Sequence, residues 1–220
     1  MEASKLAGMG STASGRRTSL WDYYDRRAPD YDGGVSGAQR YFSGLGVESD
    51  PEVIGAEGEQ VMRALAKLRP ARYLEVGAGP GVFTALLPGS GVALDQSEAA
   101  LRRLRGSVAS VPVLRGDATC LPVATKSVSR VFAGHLYGHL AEIERVAFLS
   151  EARRVADELV ILDSGRPIGA QAEEWQTRAL ADGTTFTVYK RHFEIDVLLA
   201  EIGGEPLVSG RYFVLVRSTA

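Results

Sequence analysis

The sequence predicts an α/β fold: a doubly wound, mainly parallel sheet that ends in an antiparallel hairpin. Apolar runs and helical patterns alternate between residues 53 and 163, which is typical of parallel strands joined by helices. A glycine-rich turn follows the first apolar run, as it does in sheets that bind ligands beyond their strand ends. Two apolar and β-branched segments close the chain around the turn residues 209–211, which indicates the hairpin.

Composition limits the classes of protein that the chain can belong to. Its 220 residues suffice for one α/β domain with a buried core. The net charge of −2 offers no basic surface for nucleic acid, and no apolar run has membrane-spanning length. The single cysteine, Cys120, excludes an intrachain disulfide framework and disfavours a cysteine-built metal site. We expect a cytoplasmic protein without nucleic-acid or membrane partners, and composition predicts no oligomeric state.

The chain divides into three predicted parts. Residues 1–19 are small, polar and glycine-rich, lack the apolar segment of a signal peptide, and are predicted to be a disordered tail. Residues 20–52 are predicted to be a lid that orders when ligand binds, because a short aromatic helix at 21–27 precedes a Gly- and Ser-rich loop. Residues 53–220 form the main domain, with substrate-capping elements at about 168–193.

The organising stretch is residues 73–84, YLEVGAGPGVFT. An apolar strand ends in the acid Glu75, and three alternate glycines then lead into a predicted helix. Glycines without Cβ let the backbone approach a ligand closely. The dinucleotide fingerprint requires G-x-G-x-x-G, whereas here the third glycine comes one residue early and Val82 stands in its place. The spacing therefore disfavours a nicotinamide dinucleotide.

The second strand, Gly91–Asp95, ends in an acid 18 residues after Gly77. A carboxylate at this strand tip can accept hydrogen bonds from both hydroxyls of a ribose, and we favour that role over a plain strand terminator. Gln96-Ser97 then opens a helix. Further along, the sequence predicts strands at 111–118, 127–134 and 158–163, a helix at 141–156 with Ile143, Val146, Ala147 and Val155 on its apolar face, a helix at 168–180, a strand at 184–190, a helix at 195–202, and closing strands at 207–208 and 212–216.

The pattern E-x-G-x-G-x-G at Glu75–Gly81 resembles motif I of the class I S-adenosylmethionine (SAM)-dependent methyltransferases. The string Tyr24–Asp32 resembles the Y-D-x-x-A-x-x-Y-D segment that precedes this motif in small-molecule members, although plain packing of the rings is an equal alternative. Gly116-Asp117-Ala118 resembles the family's contact with the adenine edge, while Ser129 replaces its usual aspartate. The resemblance implies a seven-stranded sheet, SAM as cofactor, and a cofactor site made of Tyr24, Tyr31, Glu75, Gly77, Ala78, Gly79, Gly81, Asp95, Gln96, Asp117, Ala118 and Gly134.

Two histidines near the end of the fourth strand are the candidate catalytic residues. Methyl transfer from a sulfonium mainly requires alignment of acceptor and methyl group, and a base is needed only if the acceptor is protonated. His135 lies closer to the strand tip, so we favour it as a base or an orienting group. His139 is equally compatible with an ordinary structural histidine. The i, i+4 spacing also fits a metal site, but no third ligand lies nearby in the sequence, and we expect no metal.

The acceptor site is predicted from a third resemblance. The pattern R-x-L-x-D-G-x-x-F-x-x-x-K from Arg178 to Lys190 resembles phosphonate O-methyltransferases, which implies that the two cations hold an anionic acceptor together with Tyr31 and His135. Two solvated surface charges are the alternative. We expect a small-molecule methyltransferase, acting on oxygen of an anionic or hydroxyl acceptor. A non-catalytic SAM-binding protein and, less favoured, a nicotinamide-dependent oxidoreductase are the competing hypotheses.

Overall fold

The computed structural model describes residues 13–30 and 50–219. Seven strands form one sheet, in the order β3-β2-β1-β4-β5-β9-β8, and two more strands form a separate antiparallel ribbon, β6-β7. The strands are β1 (Ala71–Val76), β2 (Gly89–Asp95), β3 (Val113–Arg115), β4 (Arg130–Gly134), β5 (Glu158–Ser164), β6 (Glu173–Ala179), β7 (Thr185–Arg191), β8 (Glu205–Ser209) and β9 (Phe213–Thr219). The helices are α1 (Ala13–Arg27), α2 (Pro51–Ala66), α3 (Glu98–Ser107), α4 (Glu142–Val155) and α5 (Ile195–Ile202), with 3-10 turns at Ala28–Asp30, Thr84–Leu86 and Tyr137–His139.

The predicted sheet is confirmed. Strands β1 to β5 pair in parallel, and β9 runs antiparallel to both β5 and β8. Successive residues of β4 point to opposite faces, so Val131 and Ala133 join the core that α4 and α5 cover. Phe132 joins the core that α2 covers with Val61 and Leu65. A sheet covered on both faces explains why its central strands are apolar throughout.

The helix predicted after the glycine turn is wrong. A single 3-10 turn, Thr84–Leu86, stands in its place, and β2 begins directly after Pro88. Only six residues separate Gly81 from this proline, which leaves no room for the turns that an α-helix needs to become stable. The connection between β1 and β2 is therefore a tight loop.

The apolar face predicted for α4 is wrong at Ile143 and Val146, whereas Val155 is buried as predicted. Ile143 and Val146 are 81% and 65% exposed, while Phe148 and Ala152 are buried. The buried stripe begins with Arg145, whose guanidinium binds the Leu140 carbonyl. Because the first buried position of α4 is the charged residue Arg145, a pattern of hydrophobic residues does not identify the buried face of this helix.

The segment from 168 to 180 was predicted to be helical but contains β6. Its side chains alternate between exposed and half-buried positions, and the half-buried set, Glu174, Gln176 and Arg178, is polar. Because the less exposed face is the polar one, the period of two carries no hydrophobic signal. Pairing with β7 across the Asp182-Gly183 turn decides the conformation. At the amino terminus, α1 begins at Ala13 rather than near Trp21, so part of the predicted tail is helical.

In the described ranges, no helix has the length and apolar character needed to cross a membrane.

Candidate functional site

One cleft opens beyond the carboxyl ends of β1, β2, β3 and β4, where ligands bind in doubly wound sheets. Its floor comes from these strand tips, and α1 covers part of it. The lining residues are Leu20, Trp21, Tyr24, Gly77, Gly79, Leu94, Asp95, Gln96, Gly116, Asp117, Ala118, Thr119, His135, Leu136, His139, Leu140 and Glu144. Seven of the predicted cofactor residues, Tyr24, Gly77, Gly79, Asp95, Gln96, Asp117 and Ala118, thus meet in one place.

The glycine turn exposes backbone to this cleft. Gly77 and Gly79 have φ angles of +72° and +55°, a region that favours glycine. A Cβ built on Gly79 would meet no atom within 4 Å, whereas one on Gly77 would lie 3.1 Å from Leu136. Position 79 therefore borders open space, and it fits a ligand that touches the main chain.

Asp95 lies at the tip of β2 and is held by two amides. Its Oδ2 accepts from the Gly79 N–H at 2.8 Å, and its Oδ1 accepts from the Ser97 N–H at 2.8 Å. Burial raises the pKa of Asp95, while these amides act against the rise. A carboxylate can accept about four hydrogen bonds, so this one retains capacity for the ribose diol. The geometry fits the adenosine part of SAM.

Four predicted cofactor residues do not line the cleft: Glu75, Ala78, Gly81 and Gly134. The Glu75 carboxyl is buried and accepts from the Thr84 hydroxyl at 2.5 Å, and burial raises its pKa to about 8. A Cβ on Gly134 would lie 2.5 Å from the Phe83 ring. These residues shape the turn from behind, and direct cofactor contact by them stays a prediction.

Helix α1, which lines the cleft, is joined to the β6-β7 ribbon by side-chain contacts. Tyr23 packs against Phe186 with ring centroids 5.3 Å apart. Arg26 forms an ion pair with Asp182 and donates to the Thr184 hydroxyl at 2.8 Å. The lid predicted at 20–52 thus includes a helix joined to the capping ribbon; Tyr31 and the loop after it lie outside the described residues.

His139 lines the cleft on the β4 side. Its Nδ1 lies 2.8 Å from the Tyr189 carbonyl, so the proton belongs on Nδ1 and Nε2 is left as an acceptor. Burial, together with the charges of Lys190 and Arg178, lowers the pKa of His139 to about 3. Its edge also meets the ring of Tyr24 at a centroid distance of 6.4 Å.

His135 is packed into the wall between β4 and β5. Its φ of +53° is unusual for a residue with a side chain. The imidazole stacks on Phe83 and meets the edge of Phe213, both at 5.9 Å, and Nδ1 lies 3.4 Å from the Ser164 hydroxyl. Burial lowers its pKa to about 4. The two histidines do not share a helix face as predicted, because the 3-10 turn begins only at Tyr137.

Across residues 13–30 and 50–219, no group of three His, Cys, Asp or Glu side chains is placed to hold a metal ion.

Lys190 and Asp163 form a buried ion pair near both histidines, which the sequence did not predict. Lys190 Nζ lies 3.0 Å from Asp163 Oδ1, and the two residues are 5% and 0% exposed. Asp163 also accepts from the amides of Gly138 and Ser164, each at 2.7 Å. Although burial favours a raised pKa, Lys190 and His135 lower the pKa of Asp163 to about 2. Lys190 is therefore not a solvated surface charge.

Arg178 and Lys190 share one face of the ribbon but are not neighbours. Arg178 pairs with Phe186 and Lys190 with Glu174, so four residues, about 13 Å of strand, separate the two. Arg178 donates to the neutral Gln176 amide oxygen at 2.6 Å and forms no ion pair among the described residues. The two cations thus lie apart along the ribbon, and the charges of both lower the pKa of His139. A shared role of the two in binding the acceptor stays a prediction.

A family model for a methyltransferase domain matches residues 74–158. Among curated proteins, the malonyl-[acyl-carrier protein] O-methyltransferase of Methylococcus capsulatus is 33% identical over 108 residues, 44% of this chain. That match covers only 38% of the relative's length. Residues 74–158 are thus similar to a methyltransferase domain, and the similarity supports the resemblance to the class I SAM-dependent family.

Solved structures share the fold of this chain at low identity. A DhpI–SAM–HEP complex superposes with a TM-score of 0.70 at 20% identity, covering 94% of this chain and 99% of that one. A DhpI–SAH complex gives 0.66 at 21% identity, covering 94% and 97%. Phosphoethanolamine N-methyltransferase 1 of Haemonchus contortus, bound to phosphoethanolamine and S-adenosylhomocysteine, gives 0.58 at 18%, covering 96% and 50%.

Several residues that line the cleft could not be identified as site residues from the sequence. Trp21 and Leu20 line the cleft only because α1 crosses it, and Leu136, Leu140 and Glu144 arrive through the 3-10 turn and the start of α4. Thr119 follows the adenine-edge motif directly and donates to Asp117 through both its amide and its hydroxyl. That residue could have been found, because a threonine two positions after an aspartate favours such a turn.

Proposed function

We propose that the protein is a SAM-dependent methyltransferase that methylates an oxygen of a small anionic acceptor. One observation carries the proposal: a single cleft has the Gly79 and Asp95 cradle at one end and His139, flanked by two cations, at the other. The cradle fits the adenosine of the cofactor. The opposite end offers positive charge where the acceptor must enter.

The position of helix α1 over part of the cleft supports the proposed methyl-transfer chemistry. SAM supplies a methyl group that is already activated on a sulfonium sulfur. The chain has to align the acceptor with it and keep water out, and alignment of this kind can lower a barrier by about 7–11 kcal/mol. Helix α1 suits this task because it covers part of the cleft and is joined to the β6-β7 ribbon through Arg26 and Asp182.

The charges near His139 favour an anion. Lys190 is largely neutralised by Asp163, whereas the hydrogen-bond partner of Arg178 is a neutral amide. The surplus positive charge suits a carboxylate, phosphate or phosphonate, and a guanidinium matches such groups with two hydrogen bonds. One similar protein is named as an O-methyltransferase of malonyl-[acyl-carrier protein]. Another, an N-methyltransferase, is bound to the anionic molecule phosphoethanolamine.

The histidines support an acceptor that needs no strong base. His135 and His139 have pKa values lowered to about 4 and about 3, so both are neutral near pH 7 and too weakly basic to take a proton from a hydroxyl. A neutral imidazole can still orient an acceptor through a hydrogen bond. An acceptor oxygen that is already anionic requires only this orientation, so we assign His139 Nε2 to orient the acceptor and His135 to support the wall.

A panel of matched acceptors tests the proposal. Small carboxylates, phosphates and phosphonates are assayed beside their neutral amides and alcohols, and formation of S-adenosylhomocysteine is measured. The proposal expects turnover of anionic members and little turnover of the neutral partners. Turnover confined to neutral phenols or amines contradicts it, and Arg178 then belongs to the ribbon surface. The same acceptor panel is assayed with Arg178→Gln. Arg72→Gln, a change remote from the cleft residues, is the control for that variant.

A further inference from the structure

Trp21 occupies a position that its hydrophobic character does not explain. It is 38% exposed although tryptophan is usually well buried, and it lines the cleft rather than the core. It lies three residues before Tyr24 on α1, so both rings point from one side of the helix toward the cleft. An exposed aromatic ring facing a ligand cleft is a candidate contact.

Arg115 fixes the indole over one half of the cleft. The guanidinium carbon of Arg115 lies 5.8 Å from the centroid of the Trp21 ring, and its Nε donates to the Gln96 carbonyl at 3.0 Å. Arg115 ends β3 immediately before Gly116-Asp117. The cation–π contact therefore holds Trp21 beside the tips of β2 and β3, where the adenine edge and ribose sites lie.

The sheet order separates Trp21 from Tyr24. Tyr24 contacts His139, which follows β4, and β4 lies on the opposite side of β1 from β2 and β3. Helix α1 thus crosses the cleft, with Trp21 at the adenosine end and Tyr24 at the acceptor end. One helical turn connects the two halves of the site.

Asp25 holds the helix in this position. Its Oδ1 accepts from the Ser97 hydroxyl at 2.6 Å and from the Ala99 N–H at 3.1 Å. Ser97 is also the residue whose N–H binds Asp95. The contact ties α1 directly to the strand tip that carries the predicted ribose acceptor, so the indole cannot move far from it.

We infer that Trp21 is a cofactor-binding residue, whose indole covers the adenine ring of bound SAM while Arg115 supports the indole from its other side. The inference rests on the proposed function, since it requires the cleft to bind SAM. Stacking of a base on an aromatic ring is worth about 1–3 kcal/mol, or roughly 5- to 150-fold in affinity. A purine and an indole are both flat and offer the area for it.

Two ligands and two tryptophans allow a direct test. The chain contains only Trp21 and Trp175, and Trp175 lies on β6 against Tyr189, away from the cleft lining. S-adenosylhomocysteine and 5′-methylthioadenosine, which keeps adenine and ribose but lacks the amino-acid end, are titrated into each variant. Trp175→Phe leaves Trp21 as the only tryptophan, and Trp21→Phe leaves Trp175.

We expect both ligands to change the tryptophan fluorescence of Trp175→Phe in a saturable way. The fluorescence of Trp21→Phe should stay unchanged. By calorimetry, Trp21→Ala should weaken both ligands by the same factor, about 5-fold or more, and Trp21→Phe should retain most of the affinity. Unchanged affinity in Trp21→Ala overturns the inference. So does tryptophan fluorescence of Trp175→Phe that neither ligand changes. A larger loss for S-adenosylhomocysteine than for 5′-methylthioadenosine also overturns it, because that result means general loosening of α1 at the Tyr24 end. Failure of the proposed function is distinct, since the wild type would then bind neither ligand.

Discussion

Replacing His135 with glutamine should change how the stability of the protein depends on pH. The histidine is buried and its pKa is lowered from 6.5 to about 4. In the unfolded chain it binds a proton below pH 6.5, but in the folded state it stays neutral until about pH 4. Its contribution to stability is therefore complete above pH 6.5 and is lost as the pH falls through this window.

The size of this change in stability follows from the two pKa values of His135, 6.5 in the unfolded chain and about 4 in the folded protein. Each excess proton on the unfolded state costs about 1.4 kcal/mol per pH unit. Between pH 7.5 and 5.5, a histidine with pKa values of 6.5 unfolded and about 4 folded costs about 1.4 kcal/mol of stability. His139, with a folded pKa of about 3, costs the same amount. His135→Gln should remove one of these two losses.

Urea unfolding at the two pH values measures this difference. Glu75, whose pKa burial raises to about 8, binds a proton more readily when folded and acts in the opposite direction. The wild-type trend alone is therefore uninformative, and the comparison is between variants. The drop in the free energy of unfolding from pH 7.5 to 5.5 should be smaller in His135→Gln than in the wild type, by about 1.4 kcal/mol.

Phe148→Leu is the matched control, because it removes a buried ring that does not titrate. It should lower stability by about 1–1.5 kcal/mol at both pH values alike. If His135→Gln shows the same pH-dependent drop as the wild type, His135 is not held neutral in the folded protein. The assignment of His135 as a neutral group that supports the cleft wall would then lose its basis.

Three further changes probe the rest of the site. Lys190→Met leaves the Asp163 charge buried without its partner and should cost about 3–5 kcal/mol of stability in urea unfolding; a loss below about 1 kcal/mol would mean that the pair is not desolvated. Arg178→Gln should raise the KM of an anionic acceptor about 10- to 100-fold, or 1.4–2.8 kcal/mol, with unchanged affinity for S-adenosylhomocysteine, and an equal KM would remove Arg178 from the acceptor site. Gly79→Val directs a side chain into open space and should abolish binding of S-adenosylhomocysteine while circular dichroism still shows a folded chain; retained binding would mean that the cofactor does not approach this turn.

Local spacing predicted which of the proposed cofactor residues meet at one edge of the sheet. Gly77, Gly79 and Asp95 lie within 19 residues of one another, and parallel strands bring their carboxyl ends to one edge of the sheet. The chemistry of these positions depends on backbone shape and strand order, both of which leave clear signals in a sequence.

The acceptor half depended on contacts that no local pattern contains. Asp163 and Lys190 are 27 residues apart, and they meet only because the ribbon folds back over β5. The ribbon itself was predicted in part as a helix, since pairing rather than hydrophobic alternation sets the conformation of β6. Trp21 was missed for a related reason, because its role follows from where α1 docks through Asp25.

Calorimetric titration of S-adenosylhomocysteine and NAD into the wild type and Asp95→Asn tests the central claim most directly. The account predicts micromolar binding of S-adenosylhomocysteine to the wild type and no binding of NAD. Asp95→Asn, which removes a charged acceptor of hydrogen bonds, should weaken S-adenosylhomocysteine by about 1.5–3 kcal/mol, or roughly 10- to 150-fold. Binding of NAD in place of S-adenosylhomocysteine, or equal affinity in the wild type and Asp95→Asn, would contradict the account.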